Sequence, residues 1–191
     1  MKPVCLIVGA GAGIGGTVGK RFARAGYHSA LCRRSNEDGL QKLVDDIKAE
    51  GGEASGYLMN AVEPDVIEDR IAALEADVGP IEVVVFNLGA QIGNRPLEAT
   101  TLKAFEVGWR MATFALFRTA SAVCPLMAER GKGALLVTSA TAAVRGNAGQ
   151  HSHAAAMGGR RMLCQSLNAE FARKGVHVAH IVVDGSVDAP D

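Results

Sequence analysis

The chain has 191 residues, 48% of them hydrophobic, and its 20 Lys and Arg balance 20 Asp and Glu for a formal net charge of zero. That length and apolar share suit one domain with a full core. Lys and Arg form no long stripe, which argues against nucleic acid or an anionic membrane as a partner. Four cysteines, Cys5, Cys32, Cys124 and Cys164, lie far apart with no C-x-x-C pair, so the pattern is neither a disulfide scaffold nor a zinc site and predicts reduced thiols in a cytoplasmic protein.

The first predicted element is a strand at Val4–Val8. It is too short to span a membrane and reads as a core strand rather than a signal peptide. It runs straight into Gly9-Ala10-Gly11-Ala12-Gly13-Ile14-Gly15. An apolar strand that breaks into a glycine loop and then a helix is a way of holding a dinucleotide pyrophosphate. The glycines let backbone approach the phosphates, and the helix offers unpaired N–H groups and a partial positive charge. Gly11, Gly13 and Gly16 fit G-x-G-x-x-G, whereas Gly9, Gly13 and Gly15 fit G-x-x-x-G-x-G. The second spacing is adopted because it alone starts at the strand end. Simple close packing of a strand on a helix would also use such glycines.

Further along, strands are predicted near His28–Cys32, Ala54–Met59, Glu82–Phe86, Ala134–Ser139 and His177–Val182, alternating with helices around 14–25, 36–50, 64–78, 101–129 and 150–173. Val83-Val84-Val85-Phe86 and Leu135-Leu136-Val137 are continuous apolar runs, as expected of parallel strands covered on both faces. Gly26, Gly51, Gly79, Gly131 and Gly175 sit at predicted helix ends, where a left-handed cap favours glycine. The alternation gives an α/β fold, a single doubly wound parallel sheet between two helical layers.

With the glycine loop, three later segments complete a resemblance. Asn87-Leu88-Gly89-Ala90 follows the fourth strand, Thr138-Ser139-Ala140-Thr141-Ala142-Ala143-Val144-Arg145-Gly146 closes the fifth, and the helix from His153 to Phe171 contains Gln165-Ser166-Leu167-Asn168-Ala169-Glu170. Over essentially its whole length the chain resembles the short-chain dehydrogenase/reductase family. The resemblance implies a single Rossmann-like, dinucleotide-binding domain over residues 1–191 and a cofactor site built from Gly9, Gly13, Ile14, Gly15, Arg33, Arg34, Asn60, Ala61, Asn87 and Gly89.

The second strand ends Leu31-Cys32-Arg33-Arg34-Ser35. An NAD-preferring site places a carboxylate near this position for the ribose 2′-hydroxyl, whereas cations accommodate the 2′-phosphate of NADP. Arg33 and Arg34 therefore point to NADP over NAD, and guanidinium groups bind phosphate in a bidentate way. Two solvated arginines at a helix entrance are the plain alternative. Asn60, where the family often carries Asp, can still hydrogen-bond an adenine amino group.

At the catalytic positions the resemblance fails. In the family a Tyr and a Lys four residues apart work with a Ser: Tyr passes the proton, Lys lowers its pKa and holds the ribose, and Ser polarises the carbonyl. Aligning on Gly146 and the following helix places His153, Met157 and Ala140 there. The supporting Asn is missing too, with Trp109-Arg110 near its place.

Two neighbours are candidates to substitute. His153 is chemically coherent as a proton donor, because an imidazole exchanges protons near neutrality without a cation beside it, although it is shorter than a phenol. Ser139 is one residue from the Ser position and reaches the site only if the strand has already broken, since successive strand residues point to opposite faces. Against these stand a polar helix-entry histidine and a buried serine bonded to backbone. His151, Ser152 and His153 have no acid at a fitting place, so neither a metal site nor a Ser-His-Asp triad is expected.

After the sixth strand, Val183-Asp184-Gly185-Ser186-Val187-Asp188-Ala189-Pro190-Asp191 resembles the segment leading to the family's substrate loop, with Asp184 for its usual Pro and Ala189 for its usual Thr. The family's last strand and substrate lid are expected to lie beyond Asp191.

The sequence thus suggests an NADP(H)-binding homologue, nominally a carbonyl/alcohol oxidoreductase acting on a small molecule through an atypical site. A catalytically inactive nucleotide-binding sensor or oligomer partner, and a non-redox lyase or isomerase on the same fold, stay open. Phe105, Trp109, Phe114, Leu116 and Phe117 offer more apolar surface than one side of a sheet needs, and the helices carrying them correspond to those through which the family usually dimerises, so a homodimer or homotetramer is expected.

Overall fold

Val4–Val8, all five residues buried, form β1, the centre of a six-stranded parallel sheet in this computed structural model, which describes residues 1–89, 93–185 and 187. The other strands are β2 (His28–Arg33), β3 (Glu53–Leu58), β4 (Ile81–Phe86), β5 (Gly133–Ala140) and β6 (Val176–Val183), in the order β3-β2-β1-β4-β5-β6. The chain leaves β1 toward β2 and β3, then returns to the other side of β1 for β4. This reversal opens a crevice at the carboxyl ends of β1 and β4, where such sheets bind ligands.

Helices α1 (Ile14–Arg24) and α2 (Glu37–Ala49) cover one face, burying Ala23, Leu40, Val44 and Ile47 against Cys5, Ile7, Leu31, Val83 and Val85. Helices α3 (Val66–Asp77), α5 (Ala115–Glu129) and α6 (His151–Phe171) cover the other, over Leu6, Val8, Val84, Phe86, Leu135 and Val137. In α2 and α3 the buried apolar residues recur every three or four positions, Leu40/Val44/Ile47 and Ile67/Ile71/Leu74, which aims one stripe at the sheet. Asn36 caps α2, its side chain accepting from the Gly39 N–H at 2.9 Å.

Two expectations need correction. The helix expected over 101–129 is interrupted: α4 (Leu102–Trp109) passes through a π turn at Arg110–Phe114 before α5 begins. Periodicity cannot register one wide turn inside an apolar run. The whole Leu102–Glu129 run is long and apolar enough to cross a bilayer, by length and composition only, and 44% of its most apolar window is buried inside the protein.

The second concerns glycine at helix ends. Gly26, Gly51, Gly131 and Gly175 have the positive φ of a left-handed cap, but Gly79 does not. A Cβ on Gly79 would collide with the Lys2 carbonyl, so glycine is needed there for close approach.

Candidate functional site

The glycine loop is shaped by two close approaches. Gly9 holds φ at +102° and passes so near the end of β4 that a Cβ on it would sit 2.8 Å from the Asn87 carbonyl group. A Cβ on Gly15 would collide with the Gly9 carbonyl oxygen, and one on Gly16 would lie 2.7 Å from that of Gly11. Around Gly11 itself there is open space. Gly9 and Gly15 thus anchor the turn, in keeping with the spacing that starts at the strand end. The N–H groups of Gly9 and Ala10 donate to the Cys32 carbonyl at 2.9 and 2.8 Å, stitching the loop to β2.

Gly13 is the N-terminal cap of α1, with no side chain bonded to the cap and no acidic residue in the first turn. The orphan N–H groups there, including that of Ile14, are thereby offered to an anion. A backbone cradle that a Cβ would fill, open to a helix N-terminus free of carboxylates, fits the pyrophosphate of a dinucleotide.

Two cavities flank this turn at the strand ends. The first, about 290 Å³, is lined by Gly9, Gly11, Arg33, Arg34, Met59, Asn60, Ala61, Asn87 and Gly89 among others, so seven of the residues expected to hold the cofactor come together there. Asn60 donates through its side chain to Glu63 at 2.8 Å. The loop holding Asn60 and Ala61 is fastened from α5 by Arg118, which the sequence did not single out. Its guanidinium donates to the Ala61 and Glu63 carbonyls at 3.3 and 2.7 Å and pairs with Glu68. Arg33 also lines a separate cavity of about 410 Å³ between α1 and α2, beside Lys20 and Lys42.

The second strand-end cavity, about 240 Å³, is lined by Ile14, Asn87, Leu88, Gly89, Thr138, Ser139, Ala140, His153, Met157, Arg160, Val183, Gly185 and Val187. Asn87 is shared by both and joins three strand ends. Its side-chain amide donates to the Gly9 carbonyl at 3.0 Å, its oxygen accepts from the Thr138 hydroxyl at 2.7 Å, and its backbone N–H donates to Val8 at 2.8 Å.

Both candidate catalytic residues line this second cavity. Strand β5 continues through Ala140, so the strand break thought necessary for Ser139 does not occur. Ser139 gets there on the face toward α6, buried, with its hydroxyl 3.7 Å from the Met157 sulfur. His153 is half-buried on the first turn of α6. Ser152 turns away from the cavity, donating to the Ala104 and Phe105 carbonyls at 3.3 and 3.4 Å. His151 lines a surface recess beside Arg95 and Pro96. Among the described residues no group of three His, Cys, Asp or Glu is placed to hold a metal. Ala90 and Ala189 lie outside the described residues.

Arg160 went unremarked in the sequence. It follows His153 and Met157 at i+7 and i+3 on one helix face, a spacing that was available to find it. Its side chain is 1% exposed and its guanidinium donates to the carbonyls of Ala112, Thr138 and Leu88 at 3.0, 2.7 and 2.7 Å. Burial pulls its pKa down to about 10, which leaves it protonated at neutral pH.

Comparison with known proteins bears on what this arrangement does. Residues 3–189 match the sequence family described as short chain dehydrogenase. A short chain dehydrogenase of Pseudocercospora fijiensis is 34% identical over 97% of the chain, and the match spans 61% of that relative's length. A crystal structure of a short-chain dehydrogenase from Rhodopseudomonas palustris superposes with a TM-score of 0.90 at 35% identity, covering 94% of this chain and 84% of that one. A gluconate 5-dehydrogenase from Burkholderia cenocepacia, solved with NADP and tartrate, gives 0.86 at 27% identity over 95% and 71% of the two chains.

Proposed function

The chain belongs to the short-chain dehydrogenase family, and from that premise we propose that it is an NADP(H)-binding oxidoreductase homologue with an atypical reaction cavity. The carrying observation is the Cβ-excluding cradle at Gly9 and Gly15, set beside the Arg33 and Arg34 end of β2. In this reading the first turn of α1 takes the pyrophosphate, Asn60 the adenine, and Arg33 and Arg34 the 2′-phosphate. The solved gluconate 5-dehydrogenase carries NADP, which supports the cofactor class. The nicotinamide, when bound, supplies or takes up a hydride.

In this reading Ala140, His153 and Met157, all three in the lining of the 240 Å³ cavity, stand where the family has its Ser, Tyr and Lys. His153 is the group there suited to holding and passing a proton near neutrality. Ser139, one residue from the usual carbonyl-polarising position, brings a hydroxyl into the same lining. Without a hydroxyl at residue 140 or an ammonium at 157, charge developing on an ordinary ketone oxygen is poorly stabilised. Binding without catalysis is the second reading, favoured by Met157, only 2% exposed, whose thioether packs on Ser139. Four buried free thiols fit a reducing, cytoplasmic setting. The exposed stack Trp109–Phe114–Phe117, with centroids 5.4 and 6.5 Å apart, fits a homodimer or homotetramer face, which light scattering tests.

The test is titration with NADPH and NADH, then a carbonyl-reduction screen. NADPH binds more tightly, and Arg33→Asp removes the preference by losing charge-assisted bonds of roughly 1.5–3 kcal/mol. Equal affinity for both cofactors overturns the NADP assignment. Reduction of ordinary ketones and aldehydes is very weak, and Ala140→Ser with His153→Tyr and Met157→Lys raises it. A robust wild-type activity abolished by His153→Ala makes His153 the proton donor and ends the inactive reading.

A further inference from the structure

The least explained charge in the molecule is the guanidinium of Arg160. Burying a cation costs several kcal/mol unless it is compensated, and the usual compensation is a carboxylate. Among the described residues Arg160 has none, only the three backbone carbonyls of Ala112, Thr138 and Leu88. Those bonds engage three of its five N–H groups. The same three contacts fix the plane of the guanidinium beside the crevice, because they come from the π turn, from the end of β5 and from the loop after β4.

Arg160 also lines the 240 Å³ cavity, and among the described residues no Asp or Glu lines it. The described lining therefore carries a positive charge held in place by the fold. Its remaining polar groups, Asn87, Thr138, Ser139 and His153, are neutral or positive. An anion entering it is attracted by that charge, which a recessed site screens less than bulk water does. Its volume admits a small molecule only.

We propose that Arg160 is a specificity-determining cation, and that the cavity takes a small oxo or hydroxy acid whose carboxylate is drawn by the Arg160 charge while its carbonyl or hydroxyl lies toward His153. This rests on the reading of the cavity as the reaction site and names the class of substrate it takes.

Two probes decide it: 2-oxobutanoate and its neutral isostere 2-oxobutanamide. Their dissociation constants are measured by ligand-observed NMR at about pH 8, with and without NADPH. The wild type binds the acid at least about tenfold more tightly than the amide, a difference of about 1.4 kcal/mol. Arg160→Met makes the two equal, and Arg160→Lys keeps part of the preference.

Equal binding of acid and amide by the wild type overturns the proposal, as does an undiminished preference in Arg160→Met. Should Arg160→Met give no cooperative melt, the wild-type Arg160 Nε–H resonance decides: it shifts with the acid and not with the amide, and an unmoved resonance overturns the proposal. Failure to bind NADPH with the acid preference intact would count against the cofactor reading and leave this one standing.

Discussion

Replacing Asn87 with Ala removes the clasp between the glycine loop and β5. Two side-chain hydrogen bonds are lost, to the Gly9 carbonyl at 3.0 Å and from the Thr138 hydroxyl at 2.7 Å. At roughly 0.5–1.5 kcal/mol net for each bond, Asn87→Ala costs about 2 kcal/mol. For a domain of this length that lowers Tm by about 4–8 °C. Thr138→Val removes the second bond together with the long 3.4 Å contact from the same hydroxyl to the Phe86 carbonyl, and costs about 1 kcal/mol. Both single variants lose the same Thr138–Asn87 bond, so the double variant falls short of their sum by about 1 kcal/mol. Urea unfolding without nucleotide gives all three values, provided the slope is unchanged. Costs that add within about 0.3 kcal/mol would show that the bond contributes nothing and refute the clasp.

Gly15→Ala, whose Cβ collides with the Gly9 carbonyl, abolishes NADPH binding, whereas Gly11→Ala, in open space, changes it by under about 0.5 kcal/mol; equal effects in a titration would refute the anchoring roles. The Arg118 guanidinium, bonded to Glu68, holds that carboxyl below its usual range. A depressed carboxylate pKa adds stability above the unfolded value of about 4.3 that is lost as pH falls through the folded value. Arg118→Met therefore flattens the loss of stability below about pH 5, read by thermal melts across pH, and an unchanged acid limb would count against the pairing. Burial raises all four thiols, Cys32 to about 12 and Cys124 and Cys164 to about 11, and Cys5 well above its usual value. A thiol reagent accordingly titrates no cysteine in the native protein and all four in urea.

The sheet was legible in the sequence because its strands are short apolar runs punctuated by glycine, and every predicted strand lies within a residue or so of the observed one. The glycine turn and its setting were legible for the same reason. Gly9 and Gly15 are dictated by local backbone geometry, and Arg33 by its place at a strand end. The second strand-end cavity was harder to read. Ser139 was judged by strand alternation alone, which gives the face of the sheet but not which helix closes over it. Arg160 was passed over because a lone arginine in a helix ordinarily points to solvent. Its burial depends on three carbonyls from residues 48, 22 and 72 positions away in the chain, a convergence no local pattern encodes.

The π turn at Arg110–Phe114 gives the longest helical run a built-in slack of one residue. Deleting a single residue there would let α4 and α5 merge into a regular helix and turn Leu102–Trp109 by about 100° around its axis. Phe105 and Trp109, now on the outside, would swing with it. So would the Ala112 carbonyl, which now meets the Arg160 side chain. The length of this one turn and the identity of residue 160 are therefore tied: in the shorter register the guanidinium loses a partner, and an apolar side chain becomes the better occupant of that place in the core. Among relatives, a regular helix here should be accompanied by an uncharged residue at the position of Arg160, and a widened turn by a cation.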